Sequence, residues 1–335
     1  MTQVAINGFG RIGRCFFRAA HAAKADFEIV GFNDLGSLEN LAYLLKYDTV
    51  YKKFNGTIAV EGGKLIVNGK EVLFAQEKDP AKLPWKVWNV DIVVESTGFF
   101  TDPAKAKAHL DAGAKRVVIS APAKGDGAET ILLGANEEKF KDCLITSNAS
   151  CTTNAASPLV GILDEAIGIE KALLNTTHGY TASQSIVDGP KDKDWKEGRA
   201  AAQNIIPTST GAAKATALAY PQLKDKFDGI SLRVPVPAGS MVDVTFIAKK
   251  MTSVEEVNAA LKVAAASDRW KKVFAVTEEE LVSSDIQGEP YGSIADLNLT
   301  RVVDGNLVKV MAWYDNEMGY AHTLVAHVLE AGKNL

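Results

Sequence analysis

Val4-Ala5-Ile6-Asn7-Gly8-Phe9-Gly10-Arg11-Ile12-Gly13 is the stretch that decides the fold. A short apolar strand runs into G-x-G-x-x-G, and the last residues of the pattern open a helix predicted over 11–23. In a dinucleotide-binding unit the first glycine makes a tight turn, the second lets backbone approach a pyrophosphate, and the third packs helix on strand. A second strand, Glu28-Ile29-Val30-Gly31-Phe32-Asn33, ends at Asp34, 21 residues after Gly13. An acid at about that spacing holds the adenosine ribose hydroxyls and repels a 2′-phosphate. A glycine-rich turn without a ligand is the other reading of the pattern; the strand, the helix and the acid together favour the dinucleotide.

Working outward, residues 1 to about 150 alternate apolar strands with helical stretches, the mark of a mostly parallel sheet covered on both faces. Asp91-Ile92-Val93-Val94-Glu95 and Arg116-Val117-Val118-Ile119-Ser120 are two such strands, and 102–112 between them reads as a helix capped by Asp102. Ser96-Thr97-Gly98 and Ser120 follow the strand ends, where open α/β sheets bind cofactors; a helix cap is the plainer reading of Ser96. Gly62-Gly63 and Asn68-Gly69 separate three alternating runs and predict a small antiparallel insertion.

Leu144-Ile145-Thr146-Ser147 reads as a strand and 155–167 as an amphipathic helix. Between them lies Ser150-Cys151-Thr152-Thr153-Asn154, which puts Cys151 near a helix N-terminus, where the macrodipole favours a thiolate. His178, 27 positions on, is a candidate for the proton transfer that a cysteine nucleophile needs. A small core cysteine is the competing reading. Beyond Cys151 longer strands take over, Asp304-Gly305 predicts a hairpin, and Ser253-Val254-Glu255-Glu256 predicts a capping box for a helix reaching about 266. The last helix is predicted over 316–331, ended by Gly332. The fold class is α/β: a Rossmann dinucleotide-binding domain over 1–150, and an α+β catalytic domain with a largely antiparallel sheet over 151–315.

The chain has 335 residues, 47% hydrophobic and 23% charged, with a formal net charge of −4. That balance argues against a general nucleic-acid surface. No apolar run approaches the ~18 residues of a membrane span. The first strand begins within a few residues, leaving no room for a signal peptide, and three cysteines suit a reducing compartment, so a cytoplasmic protein is expected. His21, His109, His322 and His327 have no metal-ligand spacing and read as surface or interface groups; no metal site is expected. Cys15 and Cys143 read as structural.

The sequence resembles phosphorylating glyceraldehyde-3-phosphate dehydrogenase over nearly its whole length. The resemblance is carried by Ile6-Asn7-Gly8-Phe9-Gly10-Arg11-Ile12-Gly13-Arg14, Ser147-Asn148-Ala149-Ser150-Cys151-Thr152-Thr153-Asn154, the run from Asn204 to Lys214, and Trp313-Tyr314-Asp315-Asn316-Glu317-Met318-Gly319-Tyr320. It implies NAD as cofactor and a phosphorylated aldehyde and inorganic phosphate as substrates, in a homotetramer whose loop from His178 to Gln203 lines a neighbour's cofactor site. It implies that the helix over 316–335 packs back on the first domain. It implies Cys151 as nucleophile and His178 as general base. Ser150, Thr152, Thr210 and Gly211 would hold the attacking phosphate, and Thr181 and Arg233 the substrate phosphate, remote from the reacting carbon. Gly8, Gly10, Arg11, Ile12, Gly13, Asp34, Lys78, Ser96, Thr97, Gly98, Ser120, Asn316 and Tyr320 form the implied cofactor set. Three positions depart from the family pattern: Ala155 stands where a second cysteine is usual, Lys78 where relatives often carry arginine near the adenine, and Gly179 to Gln184 differ from common versions. An erythrose-4-phosphate dehydrogenase and a non-catalytic dinucleotide-binding protein are the alternatives; the intact set of Cys151, His178, Arg233 and Asn316 argues against the second.

Overall fold

The computed structural model describes residues 1–335, which divide into two compact units. The first comprises 1–131, 136–149 and 321–335; the second comprises 132–135 and 150–320.

In the first unit, β1 (Thr2–Asn7) leads through the glycine turn into α1 (Arg11–Ala23), and β2 (Phe27–Asn33) follows. Next come α2 (Leu38–Lys46), a two-stranded ribbon of β3 (Tyr47–Asp48) and β4 (Lys52–Lys53), and the insertion β5 (Ile58–Glu61), β6 (Lys64–Val67) and β7 (Lys70–Ala75). The unit continues with β8 (Ile92–Glu95), α3 (Pro103–Ala106), α4 (Ala108–Asp111), β9 (Arg116–Ile119), β10 (Glu129–Thr130) and β11 (Ile145–Ser147). Its nine-stranded sheet runs β10-β11-β9-β8-β1-β2-β7-β6-β5. All pairings are parallel except those of the insertion, whose turns hold Gly62, Gly63, Asn68 and Gly69 at positive φ. Asn-Gly supplies that conformation cheaply, which is why the hairpin forms there. The central strands are buried on both faces: Val4, Ala5, Ile6, Ile92, Val93, Val94, Val117, Val118 and Ile119 are all fully buried, as a sheet covered by helices requires. The helix predicted over 102–112 is two short pieces, α3 and α4, separated at Lys107; Asp102 does cap the first, accepting from Ala104 N–H.

Two of the histidines expected at the surface are in this unit's core. His109 and His327 are each 0% exposed. Trp85 Nε1 donates to His109 Nδ1 at 3.0 Å, which leaves the hydrogen on Nε2 to donate to Glu95 at 3.1 Å. His327 Nε2 pairs with Thr146 Oγ1 at 2.7 Å, and its ring meets Phe140 edge to face. Burial there pushes the His327 imidazole down to about 3.

The second unit begins with α5 (Cys151–Ala166), then β12 (Ile169–Gly179), β13 (Ile206–Ser209), α6 (Ala212–Ala219), β14 (Phe227–Val234) and β15 (Ser240–Ala248). After α7 (Val254–Ala266) come β16 (Phe274–Thr277), β17 (Ser293–Asp296), β18 (Arg301–Val303) and β19 (Leu307–Tyr314); α8 (Met318–Gly332) follows and from Ala321 onward belongs to the first unit. The sheet order is β13-β14-β12-β15-β19-β17-β16, with β18 beside β19. Pairing is antiparallel except for β12 with β14 and β16 with β17. Burial alternates along β15 and β19, so one face is core and the other is partly open. Ser253 caps α7 by accepting from Glu256 N–H, as its sequence predicts.

Candidate functional site

In the first unit, the loops after β1, β2, β8 and β9 lie at the carboxyl ends of parallel strands, and β1 sits between β2 and β8, where the order of strands switches. The three glycines divide their duties as the motif requires. Gly8 has φ +93°, and a Cβ there would meet Thr97 N at 2.7 Å. A Cβ on Gly13 would lie 2.2 Å from Gly8 O, so only glycine lets α1 start against the turn. A Cβ on Gly10 would meet nothing within 4 Å, so its backbone faces open space at the head of α1, with no side chain capping that end. A helix N-terminus with bare N–H groups suits a pyrophosphate.

Asp34 closes this loop from the side. Its two carboxylate oxygens accept from Phe9 N–H at 2.7 Å and Gly36 N–H at 2.8 Å, leaving lone pairs for ribose hydroxyls. Ser96 Oγ donates to Gly8 O at 2.6 Å, and Thr97 N–H and Oγ1–H both donate to Glu95 Oε1. Glu95 Oε2 accepts from Asn7 at 2.6 Å and from His109. A buried carboxylate thus receives four donors and ties the end of β1 to the 96–98 loop; sequence reasoning missed it, because two of those donors, from Asn7 and His109, lie 88 and 14 positions away. Gly98 has φ +76°, Ser120 N–H donates to Glu95 O, and Lys78 is exposed. The Arg11 side chain is drawn to Asp48 and lies over the Tyr51 ring; its backbone, with that of Ile12, forms the first turn of α1.

In the second unit, α5 starts at Cys151 itself, four residues earlier than its apolar pattern suggests. Ser150 is the N-cap, its Oγ accepting from Thr153 N–H at 3.1 Å. Ala149, just before it, sits at φ +55°, a conformation that costs a non-glycine residue about 1–2 kcal/mol. Cys151 Sγ lies 3.3 Å from His178 Nε2. His178 is 3% exposed, and its Nδ1 is 2.6 Å from Gly179 O. β12 and β14 run parallel with His178 opposite Arg233, and Arg233 Nη1 rests against His178 Nδ1. Arg233 was expected to serve a phosphate remote from the chemistry; the structure puts it against the base.

Burial pushes the Cys151 thiol up, opposed by Arg233 and by hydrogen bonding to Thr152, so the helix terminus does not make a free thiolate of it. Burial, with Arg233 second, pushes His178 down to about 3, so the imidazole is neutral at pH 7 and fit to accept a proton. Behind the pair, Tyr314 Oη lies 2.9 Å from Thr152 Oγ1 and 2.8 Å from Thr176 Oγ1, and its ring meets His178 edge to face at 5.9 Å. Ser240 Oγ accepts from Gly179 N–H at 3.0 Å and donates to Asn316 Oδ1 at 2.8 Å, which fixes the Asn316 amide beside the strand end that carries His178. Asp315 Oδ1 accepts from Glu317 and Met318 N–H just ahead of α8. Tyr320 is 3% exposed in the first turn of α8. Tyr314 lay inside a recognised block but only as part of an alternating strand; Ser240 gave no sequence signal.

The remaining residues are less closely joined. Thr181 bonds to Ser183 and Gln184 within its own turn. Gly211 is the N-cap of α6, open around its Cα, and Thr210 Oγ1 accepts from Ala212 N–H. In the β13–β14 register it is Ile206 that faces Arg233, and Thr210 lies past the far end of β13.

A nucleotide-binding parallel sheet in one unit and a cysteine–histidine pair in the other define an NAD-dependent oxidoreductase. The sequence pattern of the glyceraldehyde 3-phosphate dehydrogenase NAD binding domain matches residues 2–103, and that of its C-terminal domain matches 150–316. The chain is 50% identical over 340 residues to glyceraldehyde-3-phosphate dehydrogenase of Mycobacterium avium and 48% over 335 residues to that of Streptomyces coelicolor, covering 99% of both chains in each case. It is 50% identical over 325 residues to the Geobacillus stearothermophilus enzyme, covering 96% of both. The chain belongs to the glyceraldehyde-3-phosphate dehydrogenase family.

Proposed function

We propose that the protein catalyses the NAD-dependent oxidative phosphorylation of D-glyceraldehyde 3-phosphate to 1,3-bisphosphoglycerate, as a glycolytic, cytoplasmic homotetramer. The observation that carries this reading is the 3.3 Å approach of Cys151 Sγ to His178 Nε2 at the head of α5. The thiol gives its proton to Nε2 as Sγ attacks the aldehyde carbon, Nε2–H passes that proton to the carbonyl oxygen to form the hemithioacetal hydroxyl, and the same nitrogen, neutral again, takes the hydroxyl proton as the carbon is oxidised. NAD, when bound, supplies the acceptor for the hydride lost from that carbon, and what remains on Cys151 is a thioester. Inorganic phosphate then attacks the thioester carbon, the C–S bond breaks, and the acyl phosphate leaves. Sulfur suits this sequence because a thioester keeps more of the oxidation energy for phosphate than an oxygen ester would.

Gly8, Gly10, Arg11, Ile12 and Gly13 would hold the pyrophosphate by backbone and Asp34 the adenosine ribose, Lys78 would lie near the adenine, and Ser96, Thr97, Gly98 and Ser120 would line the cofactor at the strand ends. Asn316, held by Ser240, and Tyr320 would address the nicotinamide. Ser150, Thr152, Thr210 and Gly211 would take the attacking phosphate, and Thr181 and Arg233 the substrate phosphate. The test is NADH formation from glyceraldehyde 3-phosphate, with and without inorganic phosphate. Phosphate-dependent turnover is expected; faster turnover of erythrose 4-phosphate would reassign the substrate.

A further inference from the structure

His178 Nδ1 has two neighbours that make opposite demands. Gly179 O, 2.6 Å away, can only accept, so it calls for a hydrogen on Nδ1. The guanidinium of Arg233 can only donate, so it calls for a lone pair on Nδ1. A neutral imidazole satisfies one of the two at a time. With hydrogen on Nδ1, Nε2 has its lone pair toward Cys151 Sγ and can take the thiol proton. With Arg233 donating to Nδ1, the hydrogen is on Nε2 and faces Cys151, and the ring cannot act as a base toward the thiol.

We propose that Arg233 is a positioning residue that switches the tautomer of His178, so that a phosphate drawn onto its guanidinium turns the base on. The inference rests on the reading that Arg233 receives a phosphate. Its guanidinium has donors to spare: Nε is buried without a partner, and Nη1 reaches Gly179 O only at 3.5 Å. A phosphate dianion offers Arg233 charge-assisted acceptors that a neutral ring nitrogen cannot match. As the guanidinium turns to it, the ring exchanges its hydrogen with solvent, releasing a proton from Nε2 and taking one up at Nδ1; Nδ1–H closes on Gly179 O and the Nε2 lone pair is freed.

Electrostatics act in the same direction. The groups facing the imidazole are Cys151 from α5, Arg233 from β14 and the Tyr314 ring from β19. Arg233 touches the ring at Nδ1, on the side away from Sγ. Its charge therefore opposes an imidazolium more strongly than it assists a thiolate, and it disfavours the ion pair that forms when the proton crosses. A dianion on Arg233 reverses that sign. The substrate's phosphate would thus act on the chemical step as well as on binding, an interaction realised far from the carbon that reacts.

The experiment is imidazole nitrogen NMR on 15N-histidine-labelled full-length protein, with His178→Asn to assign the resonances. Inorganic phosphate and glycerol 3-phosphate, a phosphate ester that lacks the aldehyde, are titrated separately. Without either, His178 should carry its hydrogen on Nε2; with one or both, on Nδ1, and the one effective at lower concentration is the phosphate that Arg233 prefers. Arg233→Gln should lose the response to phosphate, while Arg233→Lys, which keeps a cationic donor, should retain part of it. The same labelled samples are assayed for turnover, so failure of the assigned activity is seen separately from failure of the switch. A wild-type His178 that keeps one tautomer throughout, or an Arg233→Gln variant that responds like wild type, would overturn the proposal.

Discussion

Cys151 stands under opposed influences. Burial holds the thiol protonated, while Arg233 and Thr152 favour the thiolate, and a neutral His178 waits 3.3 Å away. Cys151→Ser should therefore abolish aldehyde oxidation and leave NAD affinity within about twofold, since none of the nucleotide-holding loops changes; NAD titration beside a turnover assay checks it. Ala155 decides what oxidation does to this cysteine. It lies one turn further along α5 and is fully buried, in the position from which a second thiol, about 5–6 Å away between Cβ atoms, would be the nearest disulfide partner. Cys15 and Cys143 form no disulfide and belong to the other unit. Peroxide should carry Cys151 through sulfenic to irreversible sulfinic acid, with thiols restoring activity only early. Peptide mass spectrometry that found a dominant Cys151–Cys143 disulfide would contradict this.

At the scale of elements, the glycine turn makes a paired prediction. Gly13→Ala pushes a methyl into Gly8 O, so it should lower thermal stability, by the ~1–3 kcal/mol typical of overpacking, and damage NAD binding with it. Gly10→Ala has room and a φ of −69° that alanine accepts, so it should melt like wild type yet bind NAD at least about tenfold more weakly. Wild-type affinity in Gly10→Ala would take the pyrophosphate off this loop. The bounds of α1, the Asn-Gly turn and the Ser253 cap were legible because each depends on residues within one helical turn of one another. His109 and His327 were not, because their burial depends on Trp85, Glu95, Thr146 and Phe140, brought in from distant parts of the chain. The contact of Arg233 with His178 was hidden for the same reason: residues 55 positions apart become neighbours only through a parallel strand register. The residues of the site could be named from sequence; which of them touch could not.

For the molecule as a whole, two buried neutral histidines set a limit in acid. His178 and His327 each have a folded value near 3 against an ordinary 6.5, so the fold refuses a proton that the unfolded chain accepts. Their contribution to stability is complete above pH 6.5 and is lost as pH falls from 6.5 toward 3. The loss approaches about 1.4 kcal/mol per pH unit for each group. Urea midpoints should fall between about pH 6.5 and pH 5, and His327→Gln should flatten part of that slope. A midpoint independent of pH over this window would show that neither imidazole is held neutral.

The level pairing of His178 with Arg233 carries one more consequence. A slip of one residue between β12 and β14 would turn one partner to the opposite face of the sheet, and base and guanidinium would part. A misassembled sheet could still be compact and helical, and by spectroscopy close to native, yet it would be silent in turnover. Activity per folded chain after refolding is therefore a proofreading signal: it counts the molecules whose strands found their true partners, which no measure of secondary structure can do.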